Sequence, residues 1–144
     1  MAEGLHIVCP HCDAVNRLPE GKDPTAGKCG RCGKALFEGK PVALTTERFA
    51  RHLASSGIPL VADFWAGWCG PCRAMAPIFE QAAAALELRA RFVKIDVDAE
   101  PRLAAQYGVR GIPALFLFRH GKVAATHSGV AEPALLRQWV ESAA

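Results

Sequence analysis

The spacing of apolar positions changes near residue 41 of this chain. Ahead of that point large apolar residues are sparse and show no 3.6-residue period. Beyond it, compact apolar runs alternate with spaced ones. Val42-Ala43-Leu44 reads as a short strand, and Thr45 or Thr46 as the cap of a helix carrying Phe49, His52 and Leu53. Pro59 to Trp65 reads as a buried strand. A long Ala-rich helix follows from about Pro71 to Leu88, with Met75, Ile78, Phe79 and Leu86 on its apolar side and Pro77 as an expected kink.

Arg91 to Val97 forms the next strand, and Pro101 to Tyr107 a short helix with Asp98 as its expected cap. Pro113–Arg119 and Lys122–Thr126 are apolar runs joined by His120-Gly121, the signature of a hairpin. Ala131 to Ala143 closes as an amphipathic helix through Leu135, Leu136, Trp139 and Val140. Strands alternating with helices predict an α/β architecture: a central mixed sheet flanked by helices, with an antiparallel hairpin at one side.

Residues 1–40 need a different explanation. They hold six of the thirteen glycines and four of the six cysteines. Such a segment buries too little apolar surface to fold unaided, so a cross-link must hold it. Gly39-Lys40-Pro41 is the expected joint, giving two domains, 1–40 and 41–144.

Charge excludes some partners. The net charge is +3, divided as +1 over residues 1–40 and +2 over the remainder, without the clustering that nucleic acid requires. No apolar run approaches the roughly 18 residues that would span a bilayer. The opening residues, Met1-Ala2-Glu3-Gly4-Leu5-His6, lack the basic and apolar regions of a secretory signal, so the expected location is the cytoplasm. In that compartment thiols stay reduced, and cysteine pairs point to metal binding or redox catalysis rather than to structural disulfides.

The six cysteines form three Cys-x-x-Cys pairs: Cys9/Cys12, Cys29/Cys32 and Cys69/Cys72. The third pair lies in Trp68-Cys69-Gly70-Pro71-Cys72, between a buried strand and a helix. A thiolate, not a thiol, attacks a disulfide. At the first turn of a helix Cys69 meets free backbone N–H groups and the positive end of the helix dipole, which favour the thiolate. Cys72 stands one turn along, close enough to close a disulfide. Pro71 suits that first turn, and Gly70 leaves the mouth uncrowded. The other reading of such a pair, a zinc knuckle or a buried structural pair, lacks this context.

Asp63-Phe64-Trp65-Ala66-Gly67-Trp68-Cys69-Gly70-Pro71-Cys72 resembles the active-site segment of thioredoxins. Ala76-Pro77, Lys94-Ile95-Asp96-Val97-Asp98, Gly111-Ile112-Pro113, Phe118-Arg119-His120-Gly121-Lys122 and Ser128-Gly129-Val130 resemble further segments of that family in order, over about residues 41–144. The resemblance implies a thioredoxin fold and a protein-disulfide reductase. Cys69 would attack and Cys72 resolve. Asp63, an acid inside an apolar strand, would lie beneath the cysteines and take the Cys72 proton, with Lys94 beside it. The family also implies a cis bond at Ile112-Pro113. Trp68, Gly70, Pro71, Val97, Gly111, Ile112, Gly129 and Val130 would then form an apolar surface, with Pro113 shaping its rim, on which an extended substrate docks against the Ile112 backbone. Trp65, Met75 and Trp139 read as core.

No Gly-x-Gly-x-x-Gly fingerprint is present, so the chain is not expected to bind a dinucleotide itself. The resemblance implies an NADPH-dependent flavoprotein, a thioredoxin reductase, as electron donor, and disulfide-containing proteins as substrates.

Cys9-Pro10-His11-Cys12, sixteen residues, then Cys29-Gly30-Arg31-Cys32 is a zinc-ribbon spacing. Four thiolates would satisfy one structural Zn2+ and supply the folding energy this segment lacks. Two extra redox pairs or an iron site are the alternatives; neither pair has the setting of Cys69. His11 reads as a bystander, and His6, His52, His120 and His127 show no ligand grouping. Ribbon followed by catalytic part resembles the thioredoxin-2 type of the family, which implies a link to oxidative stress, and a site of four thiolates is chemically oxidisable.

Two other functions compete with a reductase. A disulfide isomerase or oxidase would resemble the branch with His in place of Pro71. A zinc-ribbon redox sensor or adaptor would use the catalytic part for binding only.

Overall fold

The computed structural model describes residues 5–19, 21, 23 and 26–143. Its larger sheet has five strands: β3 (Val42–Ala43), β4 (Leu60–Trp65), β5 (Arg91–Asp96), β6 (Ala114–Arg119) and β7 (Lys122–Ser128), after an N-terminal pair β1 (Leu5–Val8) and β2 (Val15–Leu18). The order is β3-β5-β4-β6-β7. Strands β3, β5 and β4 run parallel, β6 is antiparallel to β4, and β7 is antiparallel to β6. Among the described residues four helices accompany it: α1 (Thr46–Ser55), α2 (Gly70–Leu86), α3 (Pro101–Gln106) and α4 (Pro133–Ser142).

Strand alternation divides the core between the two faces of the sheet. On one, Val61, Phe92, Leu115 and Leu117 pack with Met75, Phe79 and Leu86 of α2 and with Leu136 and Val140 of α4. On the other, Leu60, Ala62, Phe64, Val93, Ile95, Phe116 and Phe118 pack with Phe49 of α1 and Leu103 of α3. Both faces are covered, so the first five residues of β4 are fully buried, as the continuous apolar run predicts. The two-residue period sets Asp63 on the side of Val61, facing α2.

Local signals explain most element ends. Thr45 caps α1, its hydroxyl accepting from Arg48 N. Helix α2 continues through Pro77 to Leu86. The expected cap of α3 is corrected: the capping position belongs to Glu100, which makes no side-chain cap bond. Its carboxylate instead accepts from the Thr46 N–H and hydroxyl, both at 2.8 Å. The second hairpin strand runs two residues past Thr126, with a register shift between Leu117 and Phe118.

The N-terminal part contains the antiparallel pair β1–β2, which the sparse apolar pattern does not disclose. Its two Cys-x-x-Cys turns are built alike. Cys9 N donates to Ala14 O and Asp13 N to Cys9 O; Cys29 N donates to Lys34 O and Gly33 N to Cys29 O. The residue after each second cysteine is left-handed, Asp13 at φ 66° and Gly33 at φ 79°. Glycine adopts that conformation freely, and Asp is among the few other residues that tolerate it.

This part sits where β4 and β5 begin. Ile7, Leu36 and Phe37 pack with Ile58. Gly57 N donates to His6 O at 2.8 Å, and a Cβ on Gly57 would lie only 2.8 Å from that oxygen. Arg91, the first residue of β5 and only 2% exposed, donates Nη2 to Val8 O at 3.2 Å and Leu36 O at 2.8 Å, beneath the Phe37 ring. Its Nη1 lies 3.4 Å from Glu87, which accepts from Gly39 N. A second tie joins Asp13 to α1: Arg48 donates to both carboxylate oxygens at 2.9–3.1 Å, and His52 Nε2 is 2.9 Å away. Burial alone would raise the Asp13 pKa, but bonds from Arg48 and His52 hold it below the ordinary value. Burial lowers that of His52.

Candidate functional site

The Cys69/Cys72 pair lies at the opposite end of β4. The strand's six residues separate it from the N-terminal part by about 17 Å, at 3.3 Å per residue. Cys69 is the N-cap of α2, with extended backbone, and its Sγ accepts from Cys72 N at 3.2 Å. That is the stabilising amide expected for a thiolate at a helix start. Pro71 lies in the first helical turn. A disulfide joins Cys69 to Cys72, and both are 4% exposed.

The carbonyl of Ile112 lies 3.6 Å from Cys69 Sγ. It precedes a cis bond to Pro113, whose own carbonyl accepts from Gly129 N at 2.8 Å. The cis loop and the Gly129 loop are thereby tied side by side. Ile112 and Val97 pack partly buried against Ala66 and the two cysteines. Gly70, Pro71 and Gly111 are exposed, as are Trp68 at 68% and Val130 at 41%. Of the residues expected to form the docking surface, Pro113 is buried, and Gly129 partly so at φ 91°. A large indole this exposed beside a reactive sulfur is an unusual outlay of apolar surface. Its Nε1 donates to Asp98 Oδ2 at 2.9 Å. The Asp98 backbone is in turn held by Asp96 Oδ1, at 2.9 Å from its N–H.

Asp63 is completely buried, and neither of its carboxylate oxygens finds a hydrogen-bond donor among the described residues. Burial pushes its pKa from 3.8 up to about 6, against a smaller downward pull from Lys94. Lys94 is its register partner across β4 and β5. The ammonium does not bond to the acid; it lies over the Trp65 ring, 4.6 Å from the centroid. A cavity of about 170 Å³ lies beside Cys72 and Lys94, lined also by Trp65, Ala66, Gly67, Arg73 and Ala76. Arg73 Nη2 donates to Gly67 O at 3.0 Å and steadies the turn before Cys69. Cys72 thus borders a cavity, and Asp63, its pKa pushed up to about 6, lies on the face of β4 that α2 covers.

The other four cysteines converge at the far end. All four Sγ atoms lie within 4.8 Å of one another. Cys9 and Cys32 are 3.6 Å apart, as are Cys12 and Cys29. Zinc–sulfur bonds of about 2.3 Å in a tetrahedron put sulfurs about 3.8 Å apart, close to these two pair distances, so the donor set suits zinc. Without metal the thiols differ: burial pushes Cys9 up to about 12, while the Asn16 amide and then the Cys32 N–H draw Cys29 down to about 6. Asn16 Nδ2 donates to Cys29 Sγ at 3.4 Å, and its Oδ1 accepts from Gly30 N. His11 is outside this set, its ring 3.0 Å from Glu38.

Sequence reasoning missed Asp98, Arg73 and Asn16 at these sites, and Asp13, Arg48, His52 and Arg91 between them. One signal was available. Aligning the two knuckles sets Asp13 on Gly33, which marks Asp13 as a residue held in a glycine's conformation.

Comparisons with known proteins agree with this geometry. A family model described as Thioredoxin matches residues 40–142. A zinc-ribbon model described as Thioredoxin 2, N-terminal, matches residues 8–34. Thioredoxin C-3 of Corynebacterium nephridii is 41% identical over 135 residues, 94% of this chain and 92% of the relative. A thioredoxin of Rhodospirillum rubrum is 47% identical over 94 residues, 65% of this chain and 90% of the relative. Among solved structures, a single-residue mutant of a thioredoxin from Halobacterium salinarum NRC-1 superposes with a TM-score of 0.67 at 32% identity, covering 74% of this chain and 93% of that one.

Proposed function

This chain belongs to the thioredoxin family and is a thiol-disulfide oxidoreductase, and from that premise we propose how its own residues divide the work. Residues 41–144 form the catalytic part and residues 1–40 a zinc ribbon. Reduced Cys69, as thiolate at the start of α2, attacks one sulfur of a protein disulfide. That S–S bond breaks, the other substrate sulfur leaves as thiolate, and a mixed disulfide forms on Cys69. Asp63 takes the Cys72 proton through the adjoining cavity. Cys72 then attacks Cys69 Sγ, and the substrate departs fully reduced. The chain is left with the Cys69–Cys72 disulfide. Two electrons have passed from the enzyme to the substrate.

Trp68, Gly70, Pro71, Val97, Gly111, Ile112, Pro113, Gly129 and Val130 receive the substrate, its extended backbone pairing with Ile112. Lys94 offsets part of the rise that burial imposes on the Asp63 pKa. An NADPH-dependent thioredoxin reductase returns the electrons, in the cytoplasm, with a role under oxidative stress. The observation that carries this reading is Cys69 capping α2 beside Ile112 with buried Asp63 nearby. Cys9, Cys12, Cys29 and Cys32 would hold one zinc, which when bound closes the ribbon as a structural cross-link. The test is reduction of a model protein disulfide coupled to NADPH and a competent reductase. Cys69→Ser is expected to abolish turnover, and Cys72→Ser to trap substrate as a mixed disulfide. Normal turnover by Cys69→Ser would refute the assignment.

A further inference from the structure

Helix α2 begins against its own electrostatics. Its first turn holds no acid, and its fourth residue is Arg73, close to where free N–H groups and the dipole already place positive charge. A cation there costs the helix stability, so its position needs another explanation. The guanidinium turns back along the chain. Nη2 donates to Gly67 O at 3.0 Å, while Cys69 N donates to Ala66 O at 3.2 Å. These two bonds fix the turn that leads into Cys69.

Arg73 also lines the cavity of about 170 Å³ beside Cys72. Lys94 is the other cation there, its ammonium held 4.6 Å from the centre of the Trp65 ring. Among the described residues no acid lines this cavity, and Asp63 faces α2 from β4. Cys72 borders the cavity and Cys69 does not.

Resolution needs an anion at that place. Once Cys69 is bonded to substrate, its sulfur carries no charge. Cys72, only 4% exposed, must then lose its proton to become the nucleophile. A buried anion is costly unless a cation or a hydrogen-bond donor stands near it. We propose that Arg73 is a positioning residue for this second step: held at the cavity wall by Gly67 O, its guanidinium favours the Cys72 thiolate and so speeds release of the reduced substrate. This rests on the disulfide-reductase reading above and deepens it.

The step balances without further reactants. The Cys72 proton passes to Asp63, and a lone pair of Cys72 Sγ forms the bond to Cys69 Sγ. The bond from Cys69 Sγ to the substrate sulfur breaks, and that sulfur leaves with the electron pair as thiolate. Arg73 stays protonated throughout, so it exchanges neither proton nor electrons.

The experiment uses the full zinc-loaded chain and reads the two cysteines separately. Cys72 ionisation is measured in a Cys69→Ala background, as the pH midpoint of Cys72 alkylation by iodoacetamide, located by peptide mapping. Attack by Cys69 is measured in a Cys72→Ser background, as the rate of mixed-disulfide formation with a model protein disulfide. Arg73→Gln is expected to raise the Cys72 midpoint by about half a unit to one unit and to change the attack rate less than about twofold. With both cysteines present, the mixed disulfide caught by acid quenching should build up about three- to tenfold higher. Arg73→Lys keeps the charge and should restore most of both effects. An unmoved midpoint, an attack rate slowed as much as resolution, or a Lys variant as impaired as Gln overturns the proposal while the reductase reading stands. A Cys72→Ser chain with Arg73 intact that forms no mixed disulfide overturns both.

Discussion

Replacing Asp63 by Asn keeps the shape of the side chain and removes a charge that the fold leaves without a hydrogen-bond donor. The acid is 0% exposed, so no solvent screening discounts the effect. Its pKa rises from 3.8 to about 6 on folding. Between those values the folded chain binds more protons than the unfolded one, so stability falls as pH rises through that window. Below it the wild-type chain loses nothing; above it the ionised acid costs about 3 kcal/mol. The Asn variant is free of that cost. Its advantage over wild type should therefore grow by about 3 kcal/mol between about pH 3 and pH 7.5. With a urea slope of roughly 2 kcal/mol per molar, the midpoint difference grows by about 1.5 M. The assay is equilibrium urea unfolding of both oxidised proteins at several pH values. Acid effects on the ribbon cancel in the difference. An offset that stays constant across pH would refute the reasoning, because a constant offset reports packing rather than charge. The same variant should slow resolution of the mixed disulfide by about a hundredfold or more if Asp63 is the base.

Two further outcomes test the far end of the molecule. Arg91→Ala removes a buried cation that binds two ribbon carbonyls and leaves Glu87 buried without its partner, so a loss of about 3–5 kcal/mol is expected in urea unfolding; a loss under about 1 kcal/mol would mean the ribbon is not anchored there. Asn16→Ala strips the amide from Cys29 Sγ, so zinc affinity should fall by about tenfold or more in competition with a chromophoric chelator, and the share of early alkylation falling on Cys29 should rise.

The sheet, its hairpin and the helices α1 to α4 were legible because each reports locally. A buried strand announces itself as an apolar run, and a helix start as Thr45 or a capping cysteine. Asp63 was legible for the opposite reason: it breaks an apolar run, and an acid there demands an explanation. The ribbon was legible only through cysteine spacing. Its strands are four residues each, with only Ile7 and Val8 fully buried, too short for any period to emerge. Asp98 looked like a cap because it precedes a helix. Its actual bond, to Trp68, spans thirty residues. Arg91 looked like the polar first residue of a strand, and nothing near it in sequence says that Val8 and Leu36 solvate it. Periodicity tells which face a residue takes, not which distant backbone oxygen meets it there.

That last contact has a consequence for how separable the two parts are. Small metal domains are often treated as detachable modules, to be trimmed from one protein or grafted onto another. Here the seam runs through groups that neither part can leave exposed or unpaired. Trimming the ribbon would strand the Arg91 guanidinium without Val8 O and Leu36 O, and would uncover the His52 ring that Asp13 faces. Grafting the ribbon elsewhere would need a recipient with an arginine at the start of the same strand, a glycine at the place of Gly57, and an Arg–His pair on the first helix. The catalytic half and the metal half are thus fitted as a matched set, and a recipient lacking any one of these groups would receive a ribbon with nothing to seat against.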